Sequence, residues 1–210
     1  MTDQRTDAAT PPVDGQVERT HAQIQAFTVG VIEPLTAPIP FVEYDAEWPA
    51  LFVREEARIR SILGDRVVRL EHTGSTSVPG LAAKPIVDIT MTVPDVTDEP
   101  AFVPDLEAAG YVLRIRESEP NWYDHRVFKG PDTNVNLHVF SAGCVELERM
   151  VGFRDWLRTH DDERNLYLRT KRELAARHWV YVQDYADAKG EVVEGIIARA
   201  LADRDEADAR

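Results

Sequence analysis

One stretch of the chain gathers residue types able to do chemistry. It reads Glu71-His72-Thr73-Gly74-Ser75-Thr76-Ser77, then Lys84 and Asp88-Ile89-Thr90. Glycine lets a backbone approach a ligand closely. The hydroxyls and backbone N–H groups of Ser75, Thr76 and Ser77 can hold phosphate oxygens. Lys84 would add a point charge to the same group. Asp88 would bind magnesium, which favours one or two carboxylates together with substrate phosphates. A plainer reading fits the same residues: the Gly-Ser-Thr-Ser loop is only a turn, and Asp88 is a buried, hydrogen-bonded structural acid.

The elements that must position these residues are legible in outline. Val67 to Glu71 reads as a strand, Gly74 to Pro85 as a loop, and Pro85 to Val93 as a β-branched strand bounded by prolines. Upstream, Phe41 to Tyr44 reads as a short strand, and the spacing of Trp48, Leu51, Phe52, Ile59 and Leu63 predicts a helix that Gly64 ends. Downstream, Ala101 to Ala109 reads as a helix closed by Gly110, and Tyr111 to Arg116 as a strand. Asp124 to Lys129 and Val135 to Phe140 read as a strand pair around Gly130-Pro131-Asp132. Helices are expected over 145–159, 161–178 and 184–203, with a weaker one over His21 to Val31. The expected class is therefore α/β (α+β), a mixed sheet flanked by helices. Its parts are a disordered or partly helical extension (1–36), a sheet core (37–143), a helical C-terminal part packed on it (144–203) and an acidic tail (204–210).

The run from Glu71 to Ile89 resembles the signature of the GrpB family. The resemblance continues through Tyr44, Trp48, His125-Arg126-Val127-Phe128, Asn136-Leu137-His138-Val139-Phe140, Phe153 to Arg158, Tyr167, Lys171 and Leu174-Ala175. That family is placed among the polymerase-beta-like nucleotidyltransferases. The resemblance implies a nucleotidyltransferase-like sheet core. It also implies metal-dependent transfer of a nucleoside monophosphate from a nucleoside triphosphate to an acceptor. The superfamily pattern has Gly-Ser, then two acids one residue apart on a strand, then a third acid on a later strand. Asp88 fills the first acid position and Thr90 stands at the second. Both face one side, because strand side chains alternate. A Thr90→Asp change would then be expected to strengthen metal binding.

The later strand carries Asn136, His138 and Phe140 on one face, with no acid among them. A neutral His138 could ligate a metal or act as a base. Asp88 and His138 are thus the candidate catalytic and metal-binding residues. Magnesium or manganese is the expected ion, although an Asp/His pair suits manganese, iron or zinc at least as well as magnesium. Arg126, Arg154 and Lys171 are candidates to cap an anionic ligand. The alternative is that they pair with neighbouring acids, as is expected of Arg158 and Arg172. Trp122 and Tyr123 could flank a substrate ring. His72 and Cys144 read as structural residues.

Composition limits the partners. A formal net charge of −13 over 210 residues argues against general nucleic-acid binding but allows a local basic pocket for a nucleotide. No apolar run is long enough to cross a bilayer and one cysteine cannot form an internal disulfide, so a cytoplasmic location is expected. Three functions remain open. The first is transfer of a nucleoside monophosphate to a small-molecule acceptor. The second is a repurposed site doing other transferase, ligase or lyase chemistry on a small anionic metabolite. The third is a nucleotide- or metabolite-binding module without catalysis.

Overall fold

The computed structural model describes residues 21–118 and 123–208. The expectations for residues 1–20, for Trp122 and for the chain's last two residues lie outside that range. The expected class is observed: a mixed five-stranded sheet with helices on both faces.

Helix α1 (His21–Phe27) opens the described chain. After it, Thr28 bridges Ile115, and Leu35 N–H donates to the Val180 carbonyl at 2.8 Å. The expected strand at Phe41 to Tyr44 shrinks to one bridge between Val42 and Ala83. The cause is local: prolines at 38 and 40 precede it, and Tyr44 turns away to meet Trp48 edge-on. Helix α2 (Trp48–Leu63) follows the expected bounds, with proline in its first turn and Gly64 closing it onto the Arg60 carbonyl.

Five strands follow: β1 (Arg69–Thr73), β2 (Val87–Val93), β3 (Val112–Glu117), β4 (His125–Lys129) and β5 (Val135–Ser141). Helix α3 (Val103–Ala108) lies between β2 and β3. The sheet order is β1-β2-β5-β4-β3, and all pairs are antiparallel except β2 with β5. Alternation gives the sheet two unlike faces. Leu70, Ile89, Met91, Leu113, Phe128, Leu137 and Val139 form an apolar face that joins Trp48, Ile59 and Leu63 of α2 and Leu106 of α3 in the main core. The opposite face is polar: Thr73 of β1, Asp88 and Thr90 of β2, Asn136 and His138 of β5, His125 of β4.

The C-terminal helices cover that polar face. They are α4 (Val145–Thr159), α5 (Asp161–Ala175), α6 (Val182–Asp187) and α7 (Gly190–Asp208). The single helix expected over 184–203 is two helices, broken at Ala188-Lys189. The break lets α6 turn Tyr185 inward onto Ile39 and Leu174. Helix α5 stops at Ala175, where the Trp179 indole N–H donates to the Leu174 carbonyl at 2.7 Å. Val78 and Leu81 of the loop after β1 pack with Leu157, Tyr167 and Ile196, which ties the helices to the sheet.

Candidate functional site

Between the polar face and the C-terminal helices lies a cavity of about 510 Å³. Its floor is set by two short-range constraints. Thr73 ends β1 opposite Asp88 of β2, and the chain then turns sharply through Gly74. Gly74 sits at φ 65°, ψ −174°, a region open essentially to glycine alone. A Cβ there would collide with the Asp88 carboxylate. Glycine is therefore required both by the backbone and by the approach of the acid. Ser75 to Ser77 form one tight helical turn, closed by the Ser77 hydroxyl donating to the Gly74 carbonyl at 2.6 Å.

Asp88 Oδ1 accepts from the Asn136 amide at 2.7 Å, and His138 Nε2 lies 3.8 Å from the same oxygen. Burial opposes ionisation of Asp88, but His138, Asn136 and the charge of Lys84 outweigh it and hold the carboxyl below its ordinary value. Thr90 does not reach the cavity. It is fully buried, its hydroxyl 2.8 Å from that of Thr73 and donating to Met150 Sδ of α4 at 3.2 Å. A carboxylate at position 90 would lie beneath Met150 of α4, so a gain in metal binding from an acid there is not expected with this geometry.

Three lysines face the cavity from its other side. Lys171 of α5 is 2% exposed and donates to the Ala82 carbonyl at 2.7 Å, with its ammonium 4.7 Å from the Tyr167 ring centre. Lys84 and Lys189 flank the Tyr185 ring at 5.2 and 4.8 Å. Among the described residues none of these three ammoniums ion-pairs with a carboxylate. Burial, then the charges of Lys189, Lys84 and Arg172, push Lys171 down to about 6. Burial and Lys189 push Lys84 down to about 8. Lys189 is lowered by burial too, although Asp88 pulls it the other way. Tyr167, between these lysines and Ser75, is pushed up to about 12, chiefly by burial.

Of the residues singled out in the sequence, Gly74, Ser75, Thr76, Lys84, Asp88, His138 and Lys171 line this one cavity. Ser77, Arg126 and Arg154 do not. Arg154 binds Glu71 at 2.8 Å, Asp155 at 2.8 and 3.0 Å, and the His72 carbonyl at 3.0 Å. Arg126 binds Glu99 and the carbonyls of Glu117 and His125. Both arginines are consumed in holding the fold. Arg158 grips the Ser77 carbonyl and Asp155, and Arg172 pairs with Glu43. His72 points to the other face, stacked on Phe52 and 3.1 Å from the Thr76 hydroxyl.

Sequence reasoning missed Lys189, Tyr185 and Glu117 as cavity residues. Lys189 and Tyr185 fall within the single helix that the pattern predicts over 184–203, and Gly190 marks where it breaks. The pattern ends β3 at Arg116, one residue short of Glu117. Glu117 is 3% exposed and lies opposite His125 on β4. His125 Nδ1 is 3.4 Å from Glu117 Oε2, and its Nε2 is 3.1 Å from His138 Nδ1. Burial pushes His125 down to about 4 against the pull of Glu117.

Of the candidate metal-binding pair, Asp88 has one oxygen engaged by Asn136, and His138 Nε2 stands 3.8 Å from that oxygen. Among the described residues no group of three or more His, Cys, Asp or Glu side chains is placed to hold a metal ion. Nor is any helix among them long and apolar enough to cross a membrane.

A mixed sheet with a glycine-gated acid on its polar face, roofed by helices that bring Lys171 to the cavity, defines the class. The GrpB protein family model matches residues 38–199, and the chain belongs to that family. A UPF0157 protein of Halalkalibacterium halodurans is 56% identical over 184 residues, which cover 88% of this chain and 93% of that one. A UPF0157 protein of Streptomyces coelicolor is 43% identical over 171 residues, 81% and 89% of the two chains. The crystal structure of conserved protein GrpB from Enterococcus faecalis superposes with a TM-score of 0.68 at 28% identity, covering 79% of this chain and 99% of that one.

Proposed function

We propose that the protein is a nucleotidyltransferase-type enzyme that moves a nucleoside monophosphate from a nucleoside triphosphate to a small-molecule acceptor held in the cavity. One observation carries this reading: Lys84, Lys171 and Lys189 converge on one wall, without carboxylate partners among the described residues, facing Asp88 and His138. Such a wall is costly in the free protein, because each buried ammonium depresses the next. A polyanion relieves that cost. In the low-dielectric cavity the same charges would stabilise the negative charge shared over a transferring phosphoryl group. Ser75 and Thr76, at the start of the turn after Gly74, line the same cavity and offer hydroxyl and N–H donors.

The acceptor in this reading is small. A cavity of 510 Å³ is of small-molecule size, and a net charge of −13 repels nucleic acid. In this reading a divalent ion enters with the triphosphate.

Thr90 supports the second reading. With its position closed by Thr73 and Met150, the sheet presents a single carboxylate from β2 to the cavity. That favours a small anionic metabolite handled by other transferase, ligase or lyase chemistry, or bound without turnover. A thermal-shift screen separates the two, since a ligand selective for the folded state raises Tm. Nucleoside triphosphates and small anions are tested with and without magnesium, manganese or zinc. A triphosphate-selective shift, with pyrophosphate release once an acceptor is supplied, is the expected result. A shift with other anions and none with any triphosphate rejects the nucleotidyltransferase reading.

A further inference from the structure

Four side chains stand in a row across four neighbouring strands on the cavity face. They are Glu117 on β3, His125 on β4, His138 on β5 and Asp88 on β2. Register puts Glu117 directly opposite His125. His138 faces Val127 on one side and Thr90 on the other, so His125 and Asp88 are its diagonal neighbours. Diagonal pairs on one sheet face are within reach of rings and longer side chains. The contacts are 3.4 Å from Glu117 Oε2 to His125 Nδ1, 3.1 Å from His125 Nε2 to His138 Nδ1, and 3.8 Å from His138 Nε2 to Asp88 Oδ1.

The direction of the protons along this row follows from its buried end. A carboxylate only accepts. Glu117 therefore takes the N–H of His125 Nδ1. That leaves Nε2 of a neutral His125 as an acceptor, which takes the N–H of His138 Nδ1. In neutral His138 that leaves Nε2 with a lone pair facing the cavity; once protonated, the same nitrogen turns an N–H toward Asp88, and it is this charged form that draws the Asp88 carboxyl down. The proton a histidine carries is set by what its other nitrogen touches, and here that setting passes through two rings in series.

We propose that Glu117 and His125 are positioning residues that fix the tautomer of His138, making His138 Nε2 the base that accepts the proton of the acceptor hydroxyl. The proposal rests on the transfer reading above. The acceptor oxygen forms a bond to the α-phosphorus as its proton passes to His138 Nε2. The bond from that phosphorus to the bridging oxygen breaks, and pyrophosphate leaves with the electron pair. The imidazolium so formed faces the Asp88 carboxylate, and the proton later leaves to water. Asp88 thus stabilises the charge that the base acquires. A positioned base of this kind contributes roughly 10²–10⁴-fold in rate.

The tautomers are read by nitrogen-15 NMR of the histidine rings in the ligand-free full chain. The chain has six histidines, and His125→Asn and His138→Asn identify the two that matter. Neutral His138 is expected to carry its proton on Nδ1. In Glu117→Met the acceptor is gone, and His138 is expected to move its proton to Nε2. The same variant should lower kcat by roughly 10²-fold or more with triphosphate affinity unchanged. A wild-type His138 protonated on Nε2 overturns the proposal without need of any variant. So does a Glu117→Met protein whose His138 keeps its proton on Nδ1. These spectra need no triphosphate, so failure of the transfer reading is seen separately, in the thermal-shift screen.

Discussion

Gly74 and Asp88 hold each other in place, and the site's geometry depends on that pair. Gly74→Ala forces a Cβ into the Asp88 carboxylate at a backbone angle glycine alone tolerates. The strain should cost about 1–3 kcal/mol and lower Tm by roughly 2–12 °C, and the displaced carboxylate should weaken any ligand response. A variant as stable as the parent would mean the turn is not held as described. Thr90 makes the opposite point. An aspartate there would be buried against Thr73 and Met150, with His138 its register neighbour on β5. Thr90→Asp should cost about 3 kcal/mol, a fall in Tm of about 6–12 °C, with no gain in metal response. A stable Thr90→Asp protein that binds manganese would restore the idea of a two-acid centre.

At the scale of elements, the site depends on a helix too short to stand alone. Helix α6 has six residues, and isolated helices of that length do not persist in water. Tyr185, 1% exposed, packs it on Ile39 and Leu174 and lays a ring between Lys84 and Lys189. Tyr185→Ala should cost about 3–5 kcal/mol, readable as a lowered urea midpoint, and should loosen the lysine wall. Tyr185→Phe, which keeps the ring, should change the midpoint little. Equal losses in both would assign the effect to the hydroxyl and not to the packing. The elements themselves were largely legible. Helix α2 was fixed by its apolar stripe and Gly64, and β2 and β5 by their β-branched alternation. What could not be read was which strands are neighbours. The pairing of β2 with β5 joins residues far apart in the chain, and it alone sets Asp88 beside His138. The lysine wall was half visible. Lys84 and Lys171 stood out beside motifs, whereas Lys189 gains its role from a helix break and Arg126 and Arg154 lose theirs to Glu99 and Glu71.

For the molecule as a whole, the contrast is between an acidic surface and a basic cavity. The unfolded chain keeps its lysines charged to their ordinary value near 10.5, while folded Lys171 and Lys84 are lowered to about 6 and about 8. The unfolded state therefore binds more protons between about pH 6 and 10, and these two groups make the free protein more stable as pH rises through that window. Lys171→Met removes the larger part of this effect. Its stability gain from pH 6 to 9 should be smaller than the parent's, by denaturant midpoints at each pH. An identical pH slope in both would place Lys171 in ordinary solvated surroundings.

An anion seated on the lysine wall restores the lost protons, and this is the most direct test of the central claim. The triphosphate that gives the largest thermal shift is titrated calorimetrically at pH 8 in buffers of different ionisation heat. The account predicts an uptake of about 1–2 protons per triphosphate bound, drawn by Lys171 and Lys84, and its reduction by about one in Lys171→Met. Binding with no net proton uptake, or with the same uptake in Lys171→Met, would contradict it and place the ligand away from the lysine wall.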